Sequence, residues 1–114
     1  MSNCWQPESL PIDAGSFATL VATEPCLVIH FWAEWNGYDR QLDSLLNPIR
    51  EEFANRVTFR SADIDEIGLV PVCQACKVVN VPALVCFAHG VRKWTLVGVR
   101  SRAEWRQHIS SELV

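Results

Sequence analysis

Cys26-Leu27-Val28-Ile29-His30-Phe31-Trp32-Ala33-Glu34-Trp35-Asn36-Gly37-Tyr38-Asp39-Arg40 is the stretch from which the rest of this chain can be organised. Cys26 to Ala33 is an apolar run of strand length, the pattern of a central strand covered on both faces. Trp35 and a glycine-containing turn follow. From about Tyr38 the pattern changes period: Leu42, Leu45, Leu46, Ile49 and Phe53 recur at helical spacing. Pro48 lies inside that run and predicts a kink.

Upstream, residues 1–12 contain Pro7 and Pro11 and little periodicity, so they read as an arm with at most a short strand, pinned to the body by Trp5. Asp13 or Ser16 can cap a helix whose face carries Phe17, Leu20 and Val21, and Pro25 ends it. Downstream, Val57 to Asp63 reads as a strand, with Val57, Phe59 and Ser61 on one side and Thr58 and Arg60 on the other. Pro71 is placed to open a short helix running to about Val79. Ala83 to Ala88 is a second apolar strand, and His89-Gly90 turns it into Arg92 to Val97 as a hairpin. Ser101 and Glu104 form a capping box before a last helix with Trp105, Ile109 and Leu113 on one face. The order predicts an α/β fold: a mixed sheet of four to five strands, with helices on both faces, in one domain over residues 13–114.

Composition excludes several classes of function. The 114 residues are enough for one core without disulfides or metal. A net charge of −3 and scattered Lys and Arg argue against nucleic-acid binding. No run reaches the roughly 20 apolar residues that cross a bilayer, and Met1 to Leu10 has neither the basic residue nor the apolar core of a signal peptide. Five cysteines, three of them isolated, do not resemble a secreted disulfide framework, so a reducing cytoplasmic setting is expected. There is no G-x-S-x-G, P-loop or H-E-x-x-H motif.

Several separated features, from about Phe17 to Leu113, resemble the thioredoxin family. Phe31-Trp32-Ala33-Glu34-Trp35 is similar to the entry to that family's active site, and Pro48 sits where its long helix is kinked. Asp63-Ile64-Asp65 resembles the end of its third strand, Val81-Pro82 its cis-proline pair, Gly90 its hairpin turn and Gly98 the glycine beside its substrate groove. The resemblance implies a thioredoxin fold. It also implies three departures at the position where the family carries Trp-Cys-Gly-Pro-Cys. Asn36 and Asp39 stand where the attacking and resolving cysteines would be, and Tyr38 replaces the proline between them. His30 takes the strand position of a buried acid that serves the resolving thiol. An acid and its neighbour have in effect changed places. Asp39 and His30 are therefore expected to interact, the alternative being a neutral His30 bonded to backbone with Asp39 facing solvent.

Cys73 and Cys76 form the remaining redox candidate, a C-x-x-C pair. In the first turn of the helix behind Pro71, the helix dipole would favour a thiolate at Cys73. The alternative is that both pack the inner face of a short helix as small soft residues. One such pair without a second gives no zinc site, so no metal or cofactor is expected. Cys26 and Cys86 alternate with core residues of predicted strands, and burial accounts for them. Cys4, in the arm, is the expected exposed thiol. Asp63, Asp65 and Glu66 read as a solvated strand end and loop. Trp94 either marks a contact surface on the hairpin or covers the sheet.

Two functions follow from different classes. One is a binding module without the usual dithiol, holding a protein partner or peptide segment in a groove lined by Trp35, Asn36, Gly37, Tyr38, Val81, Pro82 and Gly98, as a monomer or weak homodimer. The other is an atypical thiol–disulfide oxidoreductase with Cys73 and Cys76 as its catalytic pair.

Overall fold

A computed structural model describes residues 5–113 of the chain. Strand β2 (Cys26–Trp32) is buried along its whole length, as its apolar run requires. On one side it pairs in parallel with β3 (Thr58–Asp63), and β1 (Leu10–Pro11) extends that parallel edge. On the other side it pairs antiparallel with β4 (Ala83–Ala88), which pairs antiparallel with β5 (Val91–Val97). The sheet order is β1-β3-β2-β4-β5.

Side chains of successive strand residues point to opposite faces, and the two faces make two cores. Val28, Phe59, Leu84 and Cys86 pack beneath α2 (Tyr38–Glu52) and α4 (Arg102–Ser111). Leu27, Ile29, Phe31, Ala62 and Val85 pack beneath α1 (Ala14–Thr23) and α3 (Val70–Ala75). Helix α2 continues through Pro48 and buries Leu42, Leu46 and Ile49. Trp94 packs against Trp105, ring centroids 6.4 Å apart, and so covers the sheet. Trp5 meets Trp32 edge-on at 5.5 Å, which ties the arm to the body. Cys4 lies outside the described residues.

The helix starts follow local chemistry. Asp13 caps α1 by accepting from the Ser16 N–H at 2.7 Å, while Ser16 Oγ accepts from the Asp13 N–H, so both candidate residues act in one box. Ser101 and Glu104 form the same device at α4. Two expectations need correction. Strand β3 begins at Thr58, with Val57 buried just before it. Helix α3 starts one residue before Pro71, behind a 3-10 turn at Ile67–Leu69, and stops at Ala75 rather than near Val79. The stop is set by Lys77, whose φ of 63° is left-handed. The Val78 N–H then reaches back to the Cys73 carbonyl at 3.0 Å and the Lys77 N–H to the Gln74 carbonyl at 3.2 Å, a Schellman closure.

The β4–β5 hairpin turns at His89 and Gly90, with φ of 52° and 81°. Its register then slips: Cys86 faces Trp94 but Phe87 faces Arg92, which leaves Lys93 as an extra, exposed residue in a bulge on the outer strand.

Candidate functional site

The C-terminal end of β2, the turn after it and the first turn of α2 meet the Val81-Pro82 loop, whose peptide bond is cis as the family resemblance implied. Four hydrogen bonds fix this region. Asn36 lies in a tight turn, its N–H on the Ala33 carbonyl at 3.1 Å and its Oδ1 accepting from the Tyr38 N–H at 3.0 Å. That turn aims Nδ2 across the gap, where it donates to the Val81 carbonyl at 2.7 Å. On the far side of Pro82, the Gly98 N–H donates to the Pro82 carbonyl at 2.8 Å. Gly98 has φ +98°, a conformation that L side chains rarely adopt.

Beneath the turn, His30 and Asp39 are 1% and 0% exposed. His30 Nε2 donates to Asp39 Oδ1 at 2.8 Å, and the Ala33 N–H donates to Asp39 Oδ2 at 3.1 Å. Both carboxyl oxygens of Asp39 thus have a partner, as buried polar groups require. The direct contact settles the choice between a His30–Asp39 pair and a solvent-facing Asp39. The other ring nitrogen of His30, Nδ1, is buried with no partner among the described residues.

Above the pair the surface is open and mixes aromatic rings with amides. Trp35 is 69% and Tyr38 63% exposed. With Asn36, Gly37, Gln41 and Val81 they line a shallow depression of about 600 Å³. Gln41 was not anticipated from the sequence, although it lies one helical turn after Tyr38 and so shares its face. Asp65, expected only as part of a solvated loop, needs correction. Its Oδ2 accepts from the Trp35 indole N–H at 2.8 Å, and its own N–H bonds Asp63 Oδ1 at 2.9 Å, so this acidic loop orients the tryptophan rather than merely meeting water.

Cys73 and Cys76 are not part of this surface. Both are free thiols on the opposite face of the sheet, Cys76 fully buried in the core beneath α1 and α3 and Cys73 partly buried against it. The expected acidic Cys73 is corrected: burial pushes its thiol above the ordinary value, because desolvation there outweighs the backbone hydrogen bond that lowers it. Burial, with the neighbouring Cys73, pushes Cys76 up to about 12. The cysteines that do meet are Cys26 and Cys86, with Sγ atoms 4.0 Å apart in the core beneath α2 and α4. The Cys26 contact and burial push the Cys86 thiol up.

The family model described as Thioredoxin matches residues 8–111. A thioredoxin from Acidithiobacillus ferridurans is 33% identical over 106 residues, covering 91% of this chain and 95% of that protein. A thioredoxin from Mycolicibacterium smegmatis is 27% identical over 101 residues, 89% of each chain. Among solved structures, oxidised mitochondrial thioredoxin 3 from Saccharomyces cerevisiae superposes with a TM-score of 0.81 at 21% identity, over 90% of this chain and 94% of that one, a likeness of fold.

Proposed function

The chain belongs to the thioredoxin family, and we propose that it works there as a binding and regulatory module rather than as a dithiol exchanger at the usual turn. Its partner, a protein or a peptide segment, occupies the depression beside Val81-Pro82. Exchange needs one thiolate to attack and a second thiol to resolve the mixed disulfide. The turn offers an amide and a carboxylate instead. The observation that carries the reading is Asn36. Its side chain contains no nucleophile and is already committed to the Val81 carbonyl at 2.7 Å, so it acts as a fastener between the two walls of the groove.

What the groove retains is contact surface. Trp35 and Tyr38 present exposed aromatic rings, side chains that bring large apolar area and a polar tip to an interface at little conformational cost. Pro82 and Gly98, expected along the groove, do not line the depression; the Gly98 N–H instead holds the Pro82 carbonyl next to Val81. The isolated cysteines and odd thiol count favour a reducing, cytoplasmic setting. Among the described residues no helix is long and apolar enough to cross a membrane.

Two measurements test the reading. In an insulin-type disulfide reduction assay the protein is expected to be inactive, as is Cys73→Ser. Capture of partners from the native host is expected to succeed with the unmodified protein and to fail with Tyr38→Ala. Reduction by the unmodified protein that Cys73→Ser abolishes would transfer the function to the Cys73–Cys76 pair.

A further inference from the structure

The Cys26–Cys86 contact is separate from the groove. Cys26 is the first residue of β2, and the turn at Trp35–Tyr38 follows the strand's other end, about 20 Å away at ~3.3 Å per residue. The two side chains are 2% and 0% exposed, and their sulfurs are 4.0 Å apart. The register places Cys26 opposite Ala88 and Cys86 opposite Val28, so the cysteines are diagonal neighbours rather than direct partners.

That placement discriminates between two fates of a thiol pair. Diagonal residues of an antiparallel ladder have Cα atoms about 7–8 Å apart, beyond the roughly 4.4–6.8 Å that a disulfide usually spans. A direct S–S bond therefore requires β2 and β4 to shift. An ion held in line between two thiolates requires only that the sulfurs stand two metal–sulfur bonds apart. Taking the zinc–thiolate length of about 2.3 Å as an upper guide, that is ~4.6 Å, so each sulfur moves by at most roughly 0.3 Å from the 4.0 Å separation.

We infer that Cys26 and Cys86 form a two-thiolate binding site for a soft monovalent cation of the Cu(I) class. Thiolate donors select such ions, and two collinear donors satisfy a d10 monovalent ion but not zinc, which takes four ligands. Among the described residues there is no group of three or more His, Cys, Asp or Glu arranged for a harder or higher-coordinate metal. On binding, two S–H bonds break, two metal–sulfur bonds form and two protons leave to solvent, with no change of oxidation state. The cation cancels one of the two negative charges that the thiolates would otherwise bury. Cys26, though not Cys86, lines a pocket of about 410 Å³ at one end of the sheet, with Glu24, Arg56, His89 and Glu112.

The test uses the full chain carrying Cys4→Ser, Cys73→Ser and Cys76→Ser, which leaves only the pair, titrated anaerobically with Cu(I) against a chelator of known affinity. One equivalent is expected to bind, with the ultraviolet absorption of thiolate-bound Cu(I) and the loss of two reactive thiols. Adding either Cys26→Ala or Cys86→Val, both apolar and close in size to the cysteine they replace, should weaken binding by more than about 100-fold, since even removing an outer-shell partner costs about 10–100-fold. Circular dichroism and denaturant unfolding establish that each variant is folded. Undiminished binding in a folded Cys26→Ala variant would overturn the site. So would stoichiometric Cys26–Cys86 disulfide formation under mild peroxide, because it would show that the strands close the gap without a metal.

Discussion

His30 Nε2 and Asp39 Oδ1 lie 2.8 Å apart with both side chains buried, which fastens the middle of the central strand to the first turn of the helix that follows. Removing Asp39 leaves two buried groups, His30 Nε2 and the Ala33 N–H, without their partner, at about 1–3 kcal/mol each. Asp39→Ala is therefore expected to lower unfolding free energy by about the sum of the two. Asp39→Asn keeps an oxygen for the His30 N–H and should cost about 1–2 kcal/mol. Urea unfolding checks both; equal losses would mean the pair adds nothing beyond packing.

The Asn36–Val81 clip gives a second prediction. In Asn36→Ala the Val81 carbonyl loses a donor, whereas in Asn36→Asp a carboxylate oxygen is pressed against that carbonyl. The aspartate variant should be the less stable of the two, by about 1–3 kcal/mol relative to the native protein. Hydrogen exchange should show faster opening around Val81 and Gly98. An aspartate variant as stable as the native protein would mean that the Asn36–Val81 bond does not hold the two walls together.

Restoring both thiols, Asn36→Cys with Asp39→Cys, should raise insulin reductase activity above that of the native protein. The gain is limited because His30 supplies no carboxylate to the second thiol and because the His30–Asp39 bond is lost at the same time. A double variant that folds but shows no activity and no reactive thiolate would mean the surrounding turn no longer supports exchange.

The buried Cys76 thiol makes alkaline stability fall. A group whose folded pKa is raised keeps its full contribution below the unfolded value and loses it as pH climbs through the folded one. For Cys76 that window runs from the ordinary 9.0 to about 12. Unfolding free energy should decline over that range, and less steeply in Cys76→Ala. Cys73, raised but partly exposed, should alkylate before Cys76. Identical pH profiles for the native protein and Cys76→Ala would sink the assignment.

Lys77 gives the simplest test. It holds a left-handed conformation that glycine adopts without steric cost, so Lys77→Gly should stabilise the protein or leave it unchanged, unlike most glycine substitutions, which cost roughly 0.5–1 kcal/mol in a helix. Thermal unfolding reads it out. A loss of a full kcal/mol would show that the lysine side chain holds the turn.

What could be read in advance divides by sequence distance. The Asp13–Ser16 and Ser101–Glu104 caps are decided within three residues, and the helical and strand periods of α2 and β2 are written in their apolar spacing. The end of α3 was not legible, because its terminator is a lysine rather than a glycine. Nor were the contacts that join distant segments: Trp35 to Asp65 spans 30 residues, Asn36 to Val81 45, and Cys26 to Cys86 60. Only the packed sheet brings those partners together. The His30–Asp39 pair, nine residues apart, was legible through its exchange of an acid with the neighbouring position.

The bulge at Lys93 has a consequence for life in a crowded solution. A straight outer strand would offer its free backbone groups as a template on which another chain could add itself, strand upon strand. An extra residue carrying a charged ammonium breaks that rhythm midway and raises the cost of burying the rim. The sheet is in this way given a finished border, and association is steered away from open-ended stacking.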